Sequence, residues 1–332
     1  MRYYQRDRWR RLLQRSPHWC GHLSLLMGLS LASAVSAQSV SQVPHPAPTE
    51  SVIVSETKTP LDKIQHDFIF SYTAPSPASG KVARWHAGVC PGVTGLPPSW
   101  DKSVTARVRE VASLAGAPVA PEKCRPNIDI IFTKSPQTLL DEVRATKSWL
   151  LGYHDAAQEK QLSTVSHAVQ AWYLTQTVDS RGGVFIDDKL HPEGIDIQVR
   201  TSSAPTGNTL QFPSAHVEYW NGSHLGDERR SELMHVLVVV DLAKVDGIQL
   251  SAVADNVAML SLAQTSAFDV CQPLTSIANL TTPGCDARLK TDKVSASDLA
   301  YLHALYSIDL RNSLTQQQGE LAFKMKKSLG AP

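Results

Sequence analysis

The stretch Met234–Gln264, MHVLVVVDLAKVDGIQLSAVADNVAMLSLAQ, constrains the fold of this chain more than any other. His235 to Val240 is a block of β-branched and aliphatic residues closed by Asp241, the pattern of a strand buried on both faces. After the turn signal Asp246-Gly247, residues Leu250, Val253, Val257, Leu260 and Ala263 recur three to four apart. That spacing predicts a helix from Ile248 to Gln264 with a continuous apolar face. A buried strand feeding a buried helix is a core unit, and the other elements must pack around it.

The chain has 332 residues with 42% hydrophobic content, enough for a conventional core. Its formal net charge of +1 hides an asymmetry. Residues 1–37 hold Arg2, Arg6, Arg8, Arg10, Arg11 and Arg15 against the single acid Asp7, so this part carries +5 and the remainder −4. A mildly acidic body has no electrostatic footprint for nucleic acid. The basic stretch, the apolar run Leu23–Ala34 and the small residues Val35-Ser36-Ala37 read together as a signal peptide over 1–37 with cleavage after Ala37. The twelve residues of the run fall short of the roughly 20 that span a bilayer, so no permanent membrane span is expected after cleavage. The expected location is periplasmic or secreted.

Beyond residue 37 four cysteines remain: Cys90, Cys124, Cys271 and Cys285. In an exported chain an even number implies two disulfides, and four cysteines allow three connectivities. Nearest-neighbour pairing closes the shortest loops, each bridge contributing about 3 kcal/mol on the chain-entropy picture. No CxxC spacing supports a zinc site.

Residues 38–64 are rich in Pro and Ser and read as a disordered linker, 65–310 as one globular domain, and 311–332 as a C-terminal helix or tail. Phe68 to Tyr72 reads as a short strand, and Ala83 through Cys90 as a second one. Ser99–Gly116 reads as a helix with Gly116 as its stop, and Asn127–Thr133 as an alternating strand where a peptide could add to a sheet edge. Ser135-Pro136 opens a helix running to Gly152, and residues 167–177 form a further strand. Residues 178–213 show little periodicity and read as either a disordered stretch or a functional excursion such as a lid. Ser295-Ala-Ser-Asp298 resembles a capping box opening a helix. The fold class is α+β with a mixed α/β layout, in a single disulfide-stapled domain.

The familiar chemistries are absent as motifs. There is no HExxH, no GxSxG and no glycine-rich nucleotide loop, so no cofactor is implied. Ser99-Trp-Asp-Lys102, Tyr219-Trp-Asn221 and Lys290-Thr-Asp292 fall in the order used by penicillin-recognising enzymes, but the third lacks its glycine. An active site, if there is one, would be that of a secreted zinc- or serine-dependent hydrolase of non-standard type, assembled in space from Ser99, Lys102, His216, His224 and His235.

Arg84-Trp85, the strand Asn127–Thr133, the core unit and the closing run Ser297-Asp-Leu-Ala-Tyr-Leu-His-Ala-Leu-Tyr306 together resemble an uncharacterised family of exported proteobacterial proteins. Its core reads VLVVVD followed by LADxxAMxxLAQ, with a distant zincin-like, metallopeptidase-type layout that lacks HExxH. The likeness spans about residues 65–310. On a working zincin's register, Ala254, Asp255, Asn256, Val257 and Ala258 would occupy the HExxH positions. Both imidazoles are then alanines and Asp255 is the only acid near the general-base position. The resemblance therefore implies a vestigial-site helix at Ala254, Asp255 and Ala258 with no catalytic, cofactor or metal residue. It implies a non-catalytic binding or structural role, with a peptide or protein as partner.

Overall fold

The computed structural model describes residues 61–187, 196–197, 210–211 and 228–330; the signal peptide, most of the linker, His216, His224 and much of 178–213 lie outside them. Strand β8 (Arg230–Asp241) is the centre of the architecture, as the apolar run demands. At its first half it pairs in parallel with β1 (Ala83–Trp85), and at its second half with β3 (Ile128–Thr133). On its other side runs antiparallel β4 (Val169–Val178). Strand β2 (Pro91–Thr94) lies outside β3, and β5 (Val184–Asp187) outside β4, giving the order β2-β3-β8-β4-β5. A separate short ladder joins β6 (Asp196–Ile197) to β7 (Leu210–Gln211).

Both faces of this mixed sheet are covered. Val236, Val238 and Val240 enter the main core with Ile128, Ile130, Phe132, Val169 and Ala171. Against them pack α2 (Pro98–Ala115), α5 (Leu250–Leu262) and α6 (Ala296–Leu305). The alternate residues Leu237 and Val239 face the opposite side, where α3 (Pro136–Lys147) and a 3-10 turn (Ser148–Leu151) bury Leu140, Val143, Leu150 and Leu151. Helix α4 (Ala156–Leu162) begins on an Asp155/Gln158 capping box. Helices α1 (Leu61–Tyr72) and α7 (Leu314–Ser328) pair with each other, and α7 also packs on α6, burying Leu321 and Met325 in the main core. The class is thus α+β with a mixed sheet, and the bridges are Cys90–Cys124 and Cys271–Cys285, the nearest-neighbour pairing.

Several local expectations are corrected. Phe68–Tyr72 is the end of helix α1 and not a strand, because Gln65, Phe68, Ile69 and Tyr72 form a buried i, i+3, i+4, i+7 stripe that a five-residue window hides. That helix starts at Leu61, inside the stretch read as linker. The strand read from Ala83 through Cys90 ends at Trp85, and a separate strand, β2, begins at Pro91. Asn127 separates the two: its Oδ1 accepts the Cys90 N–H at 2.8 Å and its Nδ2 donates to the Gly88 carbonyl at 3.0 Å, so the chain steps one place outward from β8 to β3's far side. Strand β3 is therefore flanked by β2 and β8 and offers no edge to a peptide. The excursion after Val178 opens with a hairpin, whose turn is held by the Asp179 carboxylate accepting the Arg181 and Gly183 N–H groups at 2.8 and 2.7 Å.

Register in β8 is adjusted once. The pairing with β4 skips Met234, a bulge that turns Leu233 back into the main core beside Trp85. Gly95, at φ +101°, leaves β2 so close to β3 that a Cβ there would lie 1.9 Å from the Phe132 carbonyl oxygen.

Val238→Asp buries an unpaired carboxylate at the sheet centre, a cost exceeding the stability of an ordinary domain. The expected outcome is loss of the cooperative urea transition and of near-UV circular dichroism, whereas Val238→Ile retains both.

Candidate functional site

Helix α5 is buried along almost its entire length, from Ala252 to Leu262. A helix enclosed in this way must satisfy its own ends from neighbouring elements. The Tyr173 hydroxyl, from β4, donates to the Leu260 carbonyl at 3.0 Å. The Trp85 indole, from β1, donates to the Ser261 carbonyl at 2.8 Å, and the Tyr306 hydroxyl, at the end of α6, to the Leu262 carbonyl at 2.9 Å. Burial raises both phenols above their ordinary range, so they remain donors at physiological pH.

The positions corresponding to the vestigial site lie in the helix interior. Ala254 and Ala258 are 3% and 0% exposed and belong to the main core. Asp255, 2% exposed, is engaged on every side. Arg107 of α2 grips it with both arms: Nε to Oδ1, and a second guanidinium nitrogen to Oδ2 at 2.9 Å. The Val294 N–H adds a third bond at 2.8 Å. The carboxylate raises the Arg107 pKa further, and Glu110 at 2.9 Å contributes to the same end. This is a structural clamp joining α2, α5 and the approach to α6, not a carboxylate poised over a cleft.

Asn256, the next residue, differs. Its Nδ2 donates to the Ile277 carbonyl at 2.9 Å, while its Oδ1 is buried with no hydrogen-bond partner. Ile277 is itself fixed, because the fully buried Asp298 accepts its N–H at 2.9 Å together with the Ser276 hydroxyl at 2.5 Å and the Ser295 N–H at 2.8 Å. The last contact belongs to the capping box expected from Ser295-Ala-Ser-Asp298. Asn279 closes the rest of the disulfide loop on itself, donating to the carbonyls of Gln272, Leu274 and Leu289. Asn256 thus faces a recess that Tyr72, Leu260, Phe268, Ala278 and Thr281 also line, and the hydroxyl of Tyr72 is likewise unpartnered.

Of the alternative hydrolase residues, the three among the described residues, Ser99, Lys102 and His235, are not brought together. Ser99 and Lys102 are exposed on the first turns of α2, which packs on the α5 side of the sheet. His235 lies on the opposite side: its Nε2 is 3.3 Å from Asp129, its ring meets Trp149 edge-on, and its Nδ1 is buried without a partner. The offset along the strands adds to this, since the end of β2 that leads to Ser99 is level with Val239, four residues beyond His235 or about 13 Å. His216 and His224 lie outside the described residues. Lys290 of the penicillin-type pattern donates to the Thr282 carbonyl at 2.8 Å, a loop-bracing role. Among the described residues no group of three or more His, Cys, Asp or Glu side chains is placed to hold a metal. The four cysteines among the described residues are all consumed by the two disulfides.

Sequence reasoning overlooked Tyr72, Arg107 and Asn256. The usable signal was the polar pair Asp255-Asn256 inside an otherwise apolar helix, since polar side chains in such a place need partners. No family model, curated protein or solved structure matches the chain.

Arg107→Ala strands the Asp255 charge and should cost about 2–4 kcal/mol in urea denaturation, the half-open setting of the guanidinium discounting the fully buried figure. In the double variant with Asp255→Ala the loss should be smaller than the sum of the two single losses. Burial holds the Asp298 carboxyl above its ordinary 3.8, so its contribution to stability is fully present below that pH and is lost as pH rises through the folded value. Stability of the native protein relative to Asp298→Asn should therefore fall as pH rises above 3.8, as measured by denaturation midpoints.

Proposed function

We propose that this is an exported, non-catalytic binding or structural protein on a zincin-like, metallopeptidase-type layout, acting in the periplasm or outside the cell on a peptide or protein partner. One observation carries the reading: the helix that follows the central strand presents buried Ala254 and Ala258 where the resemblance implies metal ligands, and its acid, Asp255, is fully engaged by Arg107 and Val294. Three donors, two of them from one guanidinium, occupy most of this carboxylate's acceptor capacity and hold it within the contact between the helices.

Export is supported by the leader pattern over 1–37 and by two disulfides, which persist in oxidising compartments. Among the described residues no helix is long and apolar enough to cross a membrane.

The expected results for protein purified from the periplasm are an N-terminus at Gln38, less than stoichiometric zinc by elemental analysis, and no cleavage of a mixed peptide library. One zinc per chain together with chelator-sensitive cleavage would overturn the proposal in favour of a hydrolase.

A further inference from the structure

The recess beside α5 contains two unmatched polar atoms of opposite character. Asn256 is 3% exposed and lines the recess; the Ile277 carbonyl can only accept, so it takes the amide nitrogen and leaves Oδ1 as an unpartnered acceptor. Tyr72 is 1% exposed and lines the same recess with an unpartnered hydroxyl, which burial keeps protonated and able to donate. No hydrogen bond joins the two. Buried polar groups left unmet are costly, which favours an occupant that offers one acceptor and one donor together.

Size and charge narrow the occupant. The space open to the centre of a water-sized molecule is about 10 Å³, about one water. The recess opens to solvent on one side, with about 250 Å³ of empty space once the open mouth is included. No charged side chain lines it, and the remaining walls are largely apolar, with Leu260, Ala278 and Phe268 among them. Phe268 is braced by a tilted ring contact with His167, which is paired with Asp269 at 2.8 Å. An anion would find no cation here and a cation no carboxylate.

We propose that the recess between Tyr72 and Asn256 is a binding site for one neutral hydroxyl group, supplied by water in the free protein and by a small uncharged alcohol when one is present. The hydroxyl accepts from Tyr72 Oη and donates to Asn256 Oδ1, and the carbon end of an alcohol lies against Leu260 and Phe268. The assignment rests on reading α5 as a binding and not a catalytic helix, and it names the chemistry such a helix would recognise.

The test uses the full mature protein. A high-resolution crystal structure grown without alcohols should show one water within hydrogen-bond distance of both atoms. Titration with ethanol should shift the Asn256 side-chain amide and Phe268 ring NMR signals, and acetate should not. Tyr72→Phe keeps the ring and removes only the hydroxyl. It should lose the water and weaken the ethanol response roughly tenfold, as loss of one buried hydrogen bond implies. A retained water that ethanol fails to displace still supports the hydroxyl site and assigns its source to solvent. A dry recess, an ethanol response unchanged in Tyr72→Phe, or competition by acetate would each sink the proposal. None of these outcomes touches the zinc and peptide-cleavage results, so failure of this site and failure of the non-catalytic reading are separable.

Discussion

Three aromatic donors on the carbonyl end of α5 are the interaction on which the rest of this structure depends. A helix buried from Ala252 to Leu262 cannot leave its terminal carbonyls to water, and its cap residue, Ala263, is extended and offers no glycine-type closure. The remedy comes from three separate elements. Tyr173 belongs to β4, Trp85 to β1 and Tyr306 to the end of α6, so the polar demand of one helix fixes the relative positions of both flanks of the sheet and of the outer helix layer. Hydrophobic burial would bring these parts together in many arrangements; the directional bonds select one.

The opposite half of the helix is anchored by charge. Asp255 and Arg107 tie α5 to α2, and Val294 ties it to the chain entering α6. A charge in such a place costs more to desolvate than an apolar residue would, and its value lies in specifying a neighbour. The residue that resembles the remnant of a general base is therefore explained without any catalytic history: remove the likeness to metallopeptidases and Asp255 still has a complete physical role.

Legibility in the sequence followed how local each determinant was. The strand Val236–Val240 and its helix could be read because their patterns need no partner to be recognised, and the same holds for Gly116 as a helix stop at φ +78° and for the Ser295/Asp298 box. The cysteine pairing was readable because short loops close most easily. Helix α1 was missed because Phe68-Ile69-Phe70 and Tyr72 fit strand and helix alike, and the stripe that marks the helix shows only once Gln65 is included. The break between β1 and β2 was hidden for a similar reason, since Asn127, 37 residues beyond Cys90, creates it. The recess was illegible in principle, because Tyr72 and Asn256 belong to helices separated by most of the chain.

Within α5, adjacent polar residues have opposite fates, and the contrast bears on function. Asp255 and Asn256 are equally buried, on one helix, in one core. The first is bonded through both oxygens; the second has its nitrogen pinned and its oxygen unpartnered, in a recess that Tyr72 also lines. A core selected for stability alone would replace Asn256 by an apolar residue or supply a partner for its oxygen, as it does for nearly every other buried polar group in the loop from Cys271 to Asp298. The loop spends Asn279 and Asp298 on its own backbone and holds the Ile277 carbonyl where it orients Asn256. An acceptor held in place and left unmatched is the arrangement of a site that expects an occupant.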